Sequence, residues 1–142
     1  MKKALALSLL LALACSPASP TREVTVVATN YALRLPASLP PGPLVIRFRN
    51  DGSVAHEIQV YRFAKGTPAD SARRMMARDD IPDSVADNAA GVLTAGAATE
   101  TPERLLLELR AGEMYAVICE FRENPTAMKH ARLGMFALLE VK

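Results

Sequence analysis

Leu44-Val45-Ile46-Arg47-Phe48-Arg49 places a large apolar side chain at every second position, with Arg47 and Arg49 between the later ones. That is the signature of a β-strand with one dry and one wet face: Leu44, Ile46 and Phe48 point inward, Arg47 and Arg49 outward. Similar runs lie on either side. Glu23-Val24-Thr25-Val26-Val27-Ala28-Thr29 is β-branched and alternating. His56-Glu57-Ile58-Gln59-Val60-Tyr61 places His56 on the face of Ile58 and Val60. Arg104–Leu109, Glu113–Cys119 and Met135–Val141 add three more, and Tyr115, Val117 and Cys119 share one face. Between these runs fall a loop with four prolines from Leu35 to Pro43, the turn Asn50-Asp51-Gly52-Ser53, and Ala111-Gly112. About seven short strands with regular turns predict an all-β fold, an antiparallel Greek-key β-sandwich.

One segment breaks the pattern. Thr67-Pro68-Ala69-Asp70 reads as a helix start, with Thr67 as N-cap, Pro68 at the first helical position and Asp70 closing a capping box. The helix is expected to run to about Arg78 and stop before Ile81-Pro82, with a further turn over 83–90. This makes 65–98 a short helical insertion in the sandwich. Its Met75 and Met76 are soft enough to bind metal, but methionines more often fill gaps in a core.

The 142 residues fit one domain, and half of them are apolar, enough for a real core. The N-terminus predicts export. Met1-Lys2-Lys3 precedes an apolar run from Ala4 to Ala14, too short to cross a membrane, and then Cys15. Leu11-Ala12-Leu13-Ala14-Cys15 resembles the lipobox of bacterial lipoproteins, which implies cleavage before Cys15 and lipid attachment to it. The expected organisation is a signal peptide over 1–14, a lipidated tether over 15–22 and a domain over 23–142, anchored by its acyl chains at the bacterial cell envelope. Loss of Lys2 and Lys3 would bring the 17 basic residues level with the 15 acidic ones, and no basic run suggests nucleic acid as a partner. Cys119 then has no intramolecular disulfide partner. In an oxidising compartment a lone thiol is expected to be buried or bound.

Four soft or borderline donors stand at strand ends and in one loop. They are His56, Cys119 at the end of a strand, His130 eleven positions later, and Met135 five beyond that. Each has a plain alternative: a turn residue, a small core residue, a loop histidine, a core methionine. Taken together, Asn50-x-Gly52-x-x-x-His56, Cys119 and His130-x-x-x-x-Met135 resemble the ligand pattern of the cupredoxins, the blue (type-1) copper proteins such as plastocyanin and azurin. The resemblance spans 23–142 apart from the insertion. It implies a cupredoxin-like sandwich holding one copper ion, with His56, Cys119 and His130 in a trigonal plane and Met135 as a weak axial ligand. The loop from Cys119 to His130 is longer than in plastocyanin or azurin and nearer to that of copper nitrite reductases. Glu57 stands where those smaller proteins have an Asn that ties the ligand loops together, so the groups around the ligands must differ here.

The function that follows is one-electron transfer between Cu(I) and Cu(II). The resemblance implies a redox partner docking near His130, such as a c-type cytochrome or a membrane oxidoreductase. Pro125, Ala127, Met128, Ala131 and Leu133 would supply the apolar contact, and Arg122, Lys129 and Arg132 the charge. The competing readings are a copper chaperone or store using the same ligands, and a metal-free binding scaffold. An enzyme is not expected: with two His in the chain there is none to spare for a second copper site, and no catalytic triad or phosphate loop is present.

Overall fold

The structure, a computed structural model, describes residues 20–142. The expected signal peptide and Cys15 lie outside the described residues. Among the described residues ten strands run in the order β1 (Arg22–Thr29), β2 (Ala32–Arg34), β3 (Ser38–Leu39), β4 (Gly42–Asn50), β5 (His56–Phe63), β6 (Ala86–Ala95), β7 (Thr99–Glu100), β8 (Leu105–Leu109), β9 (Met114–Ile118) and β10 (Phe136–Val141). Helix α1 (Ala69–Arg78) lies between β5 and β6, and a 3₁₀ turn over His130–Leu133 precedes β10.

The strands form two sheets. One has the order β2-β1-β4-β7, with β8 also paired to β4; the other has the order β3-β10-β9-β5-β6. Most pairings are antiparallel, as expected, but β1 runs parallel to β4 and β3 parallel to β10, so both sheets are mixed. The inward faces meet where the alternation places them. Leu44, Ile46 and Phe48 pack with Val26 and Ala28 against Ile58, Val60, Tyr115, Val117 and Leu139. Arg47 stays on the outer face, paired with Glu23 and Glu100.

The insertion is less helical than its sequence suggests. Helix α1 ends at Arg78 as expected, but its N-cap is Pro68 with no side-chain cap. The Thr67 hydroxyl instead donates to the Ala64 carbonyl at 2.8 Å, which stabilises the preceding turn and leaves no capping box. The expected turn over 83–90 is cut short: Val85 and Ala86 N–H close one turn onto Pro82 O, and β6 then pairs with β5 through Phe63↔Ala86 to His56↔Ala95. Ala, Asp, Asn and Gly dominate the first half of β6 and carry little strand preference, so pairing with β5 determines its conformation.

Helix α1 covers the outer face of the second sheet. Its Ala72 and Met76 are fully buried against Phe63, Ala116, Ile118 and Leu138, with Met75 packed alongside. Strand β9 is therefore dry on both faces. Met75 and Met76 are packing residues of this second core. Among the described residues no helix is long and apolar enough to span a membrane.

Candidate metal centre

The turn before β5 is built around a buried side chain. The Asn50 amide donates to Val54 O and Gly96 O, both at 2.8 Å, while its carbonyl oxygen accepts the Gly52 N–H at 2.8 Å. Every strong hydrogen-bonding group of this zero-exposure residue thus finds a partner, as burial requires. The turn is pinned on its other side by Asn30, whose side-chain oxygen accepts from Ser53 N–H at 3.0 Å. Gly52 has no room for a side chain. A Cβ there would lie 3.0 Å from Asn50 Oδ1, 3.1 Å from Asn30 Oδ1 and 3.2 Å from His56 Nε2. Side chains packed against Gly52 therefore fix where His56 enters the interior.

Cys119 follows the last residue of β9 and points into the same core. The chain then leaves in a long loop and returns. His130 N–H bonds Phe121 O at 2.9 Å, Ala131 N–H bonds Cys119 O at 2.8 Å, and Cys119 N–H bonds Met135 O at 3.0 Å. These bonds close the loop at its base. Its middle is tethered by side chains. Lys129 reaches Asp79, the left-handed C-cap of α1, at 2.9 Å, and Glu120 at 3.7 Å. Asn124 accepts from the N–H groups of Thr126 and Ala127.

Three of the four residues singled out by sequence come together. His56 Nδ1 and His130 Nδ1 are 3.0 Å apart; Cys119 Sγ lies 3.9 Å from the first and 3.6 Å from the second. All three residues are buried, at 0–1 % exposure. A point about 2 Å from each of the three donor atoms lies in their plane, which matches a metal–imidazole bond of ~2.0–2.1 Å and is slightly short for a thiolate at ~2.3 Å. Met135 is fully buried in the same apolar cluster, joined to Cys119 through its backbone.

The electrostatics suit a cation. Burial pushes the Cys119 thiol up, opposed by the backbone N–H groups of Glu57 and Phe121. Burial also pushes His56 down to about 4, helped by the neighbouring His130, and lowers His130 as well. Both shifts favour the neutral forms of the donors, and a bound cation would oppose this by favouring the thiolate. Among the described residues His56 Nε2, the ring nitrogen that faces Gly52 and not the donor triangle, is a buried side-chain polar atom with no hydrogen-bond partner. The donor set fits a soft or borderline metal: one sulfur and two imidazoles in a dry pocket.

The groups around the ligands also became visible. Glu57 does not replace the expected Asn through its side chain, which accepts from Gln59. Its backbone N–H donates to Cys119 Sγ at 3.5 Å, so the two ligand loops remain linked, by main chain instead. Sequence reasoning missed Tyr31, Phe121 and Glu123. The Tyr31 ring stands edge-on to His130 at 4.9 Å and to His56 at 6.3 Å, and Phe121 meets His130 at 5.6 Å. No spacing in the chain signals that residue 31 lies beside residue 130. The expectation that Lys129 contributes free charge near His130 is not met, because Asp79 and Glu120 already neutralise it. Ala131 is buried, while Met128 and Leu133 are exposed.

No protein-family model matches the chain, and no curated protein matches it in sequence. Solved structures do resemble it in fold. Dithionite-reduced auracyanin from the photosynthetic bacterium Roseiflexus castenholzii is 22% identical, with a TM-score of 0.50, over 89% of this chain and 99% of that one. Auracyanin B is 20% identical with a TM-score of 0.52, over 89% and 93%. Reduced rusticyanin is 17% identical with a TM-score of 0.50, over 89% and 82%. At these identities the likeness is one of fold: the chain has the cupredoxin-like sandwich that its strand pattern and ligand order implied.

Proposed function

We propose that this protein would hold one copper ion through His56, Cys119 and His130, with Met135 as a weaker fourth donor, and carry single electrons at the bacterial cell envelope. The observation that carries this reading is the buried triangle of Nδ1, Nδ1 and Sγ, sized for one ion and held on a sandwich from two separate loops. A thiolate favours Cu(I), imidazoles serve both oxidation states, and a rigid pocket limits rearrangement between them. Ligands at 0–1 % exposure argue against a chaperone that must hand copper on through an open site. The described residues offer no second group of His, Cys, Asp and Glu for another metal, and no catalytic step is assigned.

The deciding experiment is the optical spectrum of the Cu(II)-loaded protein. One copper per chain and an intense visible thiolate-to-copper band are expected. A colourless protein whose Cys119 remains alkylatable would overturn the reading in favour of a scaffold.

Membrane attachment through lipidated Cys15 belongs to the same proposal. Cys15→Ser is expected to lose acyl mass and membrane partitioning, and equal partitioning of both proteins would count against it. For docking, Tyr31 stands against the buried His130, and exposed Met128, Leu133, Arg122 and Arg132 belong to the same loop region of the chain. Such a small apolar patch with a charged rim suits a short-lived contact with an acidic-faced partner, such as a c-type cytochrome or a membrane oxidoreductase. Electron-transfer rate should fall as salt rises, and less steeply in Arg132→Glu; a rate flat with salt in both proteins removes charge steering.

A further inference from the structure

Tyr31 occupies a conformation that needs explaining. It has a φ of 58°, in the left-handed region where a bulky residue is uncommon and costs about 1 kcal/mol or more. The turn is held there by its neighbour Asn30, which anchors it to Ser53. The outcome is that the Tyr31 ring lies across the two histidines, with its hydroxyl donating to Glu123 Oε1 at 2.8 Å. That same oxygen lies 4.0 Å from His130 Nε2, the nitrogen turned away from the donor triangle. Tyr31 and Glu123 are 92 positions apart and both partly exposed, whereas His130 beneath them is buried.

We propose that Tyr31 and Glu123 form a latch over His130, in which the ring closes the metal cavity to water and the carboxylate, held against the outer imidazole nitrogen, stabilises the oxidised ion. The proposal rests on the copper reading. At 4.0 Å the carboxylate lies beyond hydrogen-bond reach of the imidazole, so it acts on the ligating histidine through its charge. A negative charge at that position also favours the ion with the greater positive charge, and partial exposure of Glu123 screens this effect without removing it. Tyr31 is then a positioning residue. It prevents Glu123 from turning out into solvent, and the strain in its backbone is the cost of that placement.

The test has two arms. In the copper-loaded protein, Glu123→Gln keeps the shape and removes the charge. Copper and colour should be retained while the potential rises, so that the oxidised-to-reduced ratio at a fixed solution potential falls about fivefold. Tyr31→Phe should shift it in the same direction by less, since the carboxylate remains but is no longer held. An unchanged potential in Glu123→Gln, with copper still bound, overturns the electrostatic role and leaves the copper reading standing. The second arm uses metal-free protein. Carbethoxylation of His130 by diethyl pyrocarbonate, located by peptide mass, should be at least about tenfold faster in Tyr31→Ala than in wild type, given burial under the ring. Equal rates with an unchanged circular dichroism spectrum overturn the closure. Because this arm needs no metal, it also reads the latch if copper fails to bind.

Discussion

His56 and His130 meet at 3.0 Å, yet the chain holds them by opposite means. The His56 turn is short. The buried Asn50 side chain closes it onto Val54, Gly52 and the 95–96 segment, Asn30 pins it through Ser53, and there is no spare volume. The His130 loop is long. Its base is closed by backbone bonds, but its middle depends on Lys129 reaching Asp79 and on Glu123 reaching Tyr31, partners 50 and 92 positions away. A short turn has few dihedrals to fix, so one buried side chain and one outside anchor can hold it. A long loop loses more conformational entropy on ordering, and tethers from elsewhere in the fold must offset it.

The largest effect is expected from the atom that both halves face. Cys119→Ser should abolish the visible band and weaken copper binding by at least about 100-fold, since a hydroxyl is far less readily ionised than a thiol. The metal-free fold should survive with a loss of about 1–2 kcal/mol for the buried hydroxyl. Retention of an intense band in the serine protein would show that the charge-transfer donor lies elsewhere.

Breaking the rigid half comes next. In Gly52→Ala the new methyl must displace Asn50, Asn30 or the His56 ring. Copper affinity should fall about 10- to 100-fold, the range for disturbed groups around metal ligands. Equilibrium competition with a chelator measures it, and an affinity within twofold of wild type would mean that the turn is softer than its contacts indicate.

The tethered half should give way more gently. Asp79→Asn removes the ionic partner of Lys129 but leaves Glu120 within 3.7 Å. A loss of about 1 kcal/mol in urea unfolding is expected for this half-buried pair, with a severalfold faster copper release. Equal release rates would show that the helical insertion supports the sheet and not the metal loop.

Met135→Leu should have the smallest effect on affinity. The swap nearly conserves volume in a fully buried site, so stability should change by less than about 1.5 kcal/mol. Copper should stay bound while the potential moves, because an axial thioether tunes more than it holds. Loss of copper with the fold intact would contradict a weak axial role for Met135.

Strand pattern and ligand order were legible for a simple physical reason. A period of two records which face is dry, and it placed Leu44, Ile46 and Phe48 inward just as it placed Tyr115, Val117 and Cys119. The helix end at Arg78 was equally local. What misled was local preference without its tertiary setting. Thr67 has the chemistry of a cap but satisfies Ala64 instead, and the weakly strand-forming 86–91 becomes an edge strand because β5 offers it a ladder.

By itself the amino-acid sequence determined the alternating strands, the sandwich they must form, and the types and order of the candidate donors His56, Cys119, His130 and Met135. Those properties depend on side-chain chemistry and near neighbours along the chain. Only the tertiary structure decided that three donors converge within 4 Å, that Lys129 is spent on Asp79, and that Tyr31 and Glu123 lie over His130. Each of these is a contact across many residues, fixed by how the two sheets and the insertion pack. No periodicity in the chain records such a distance.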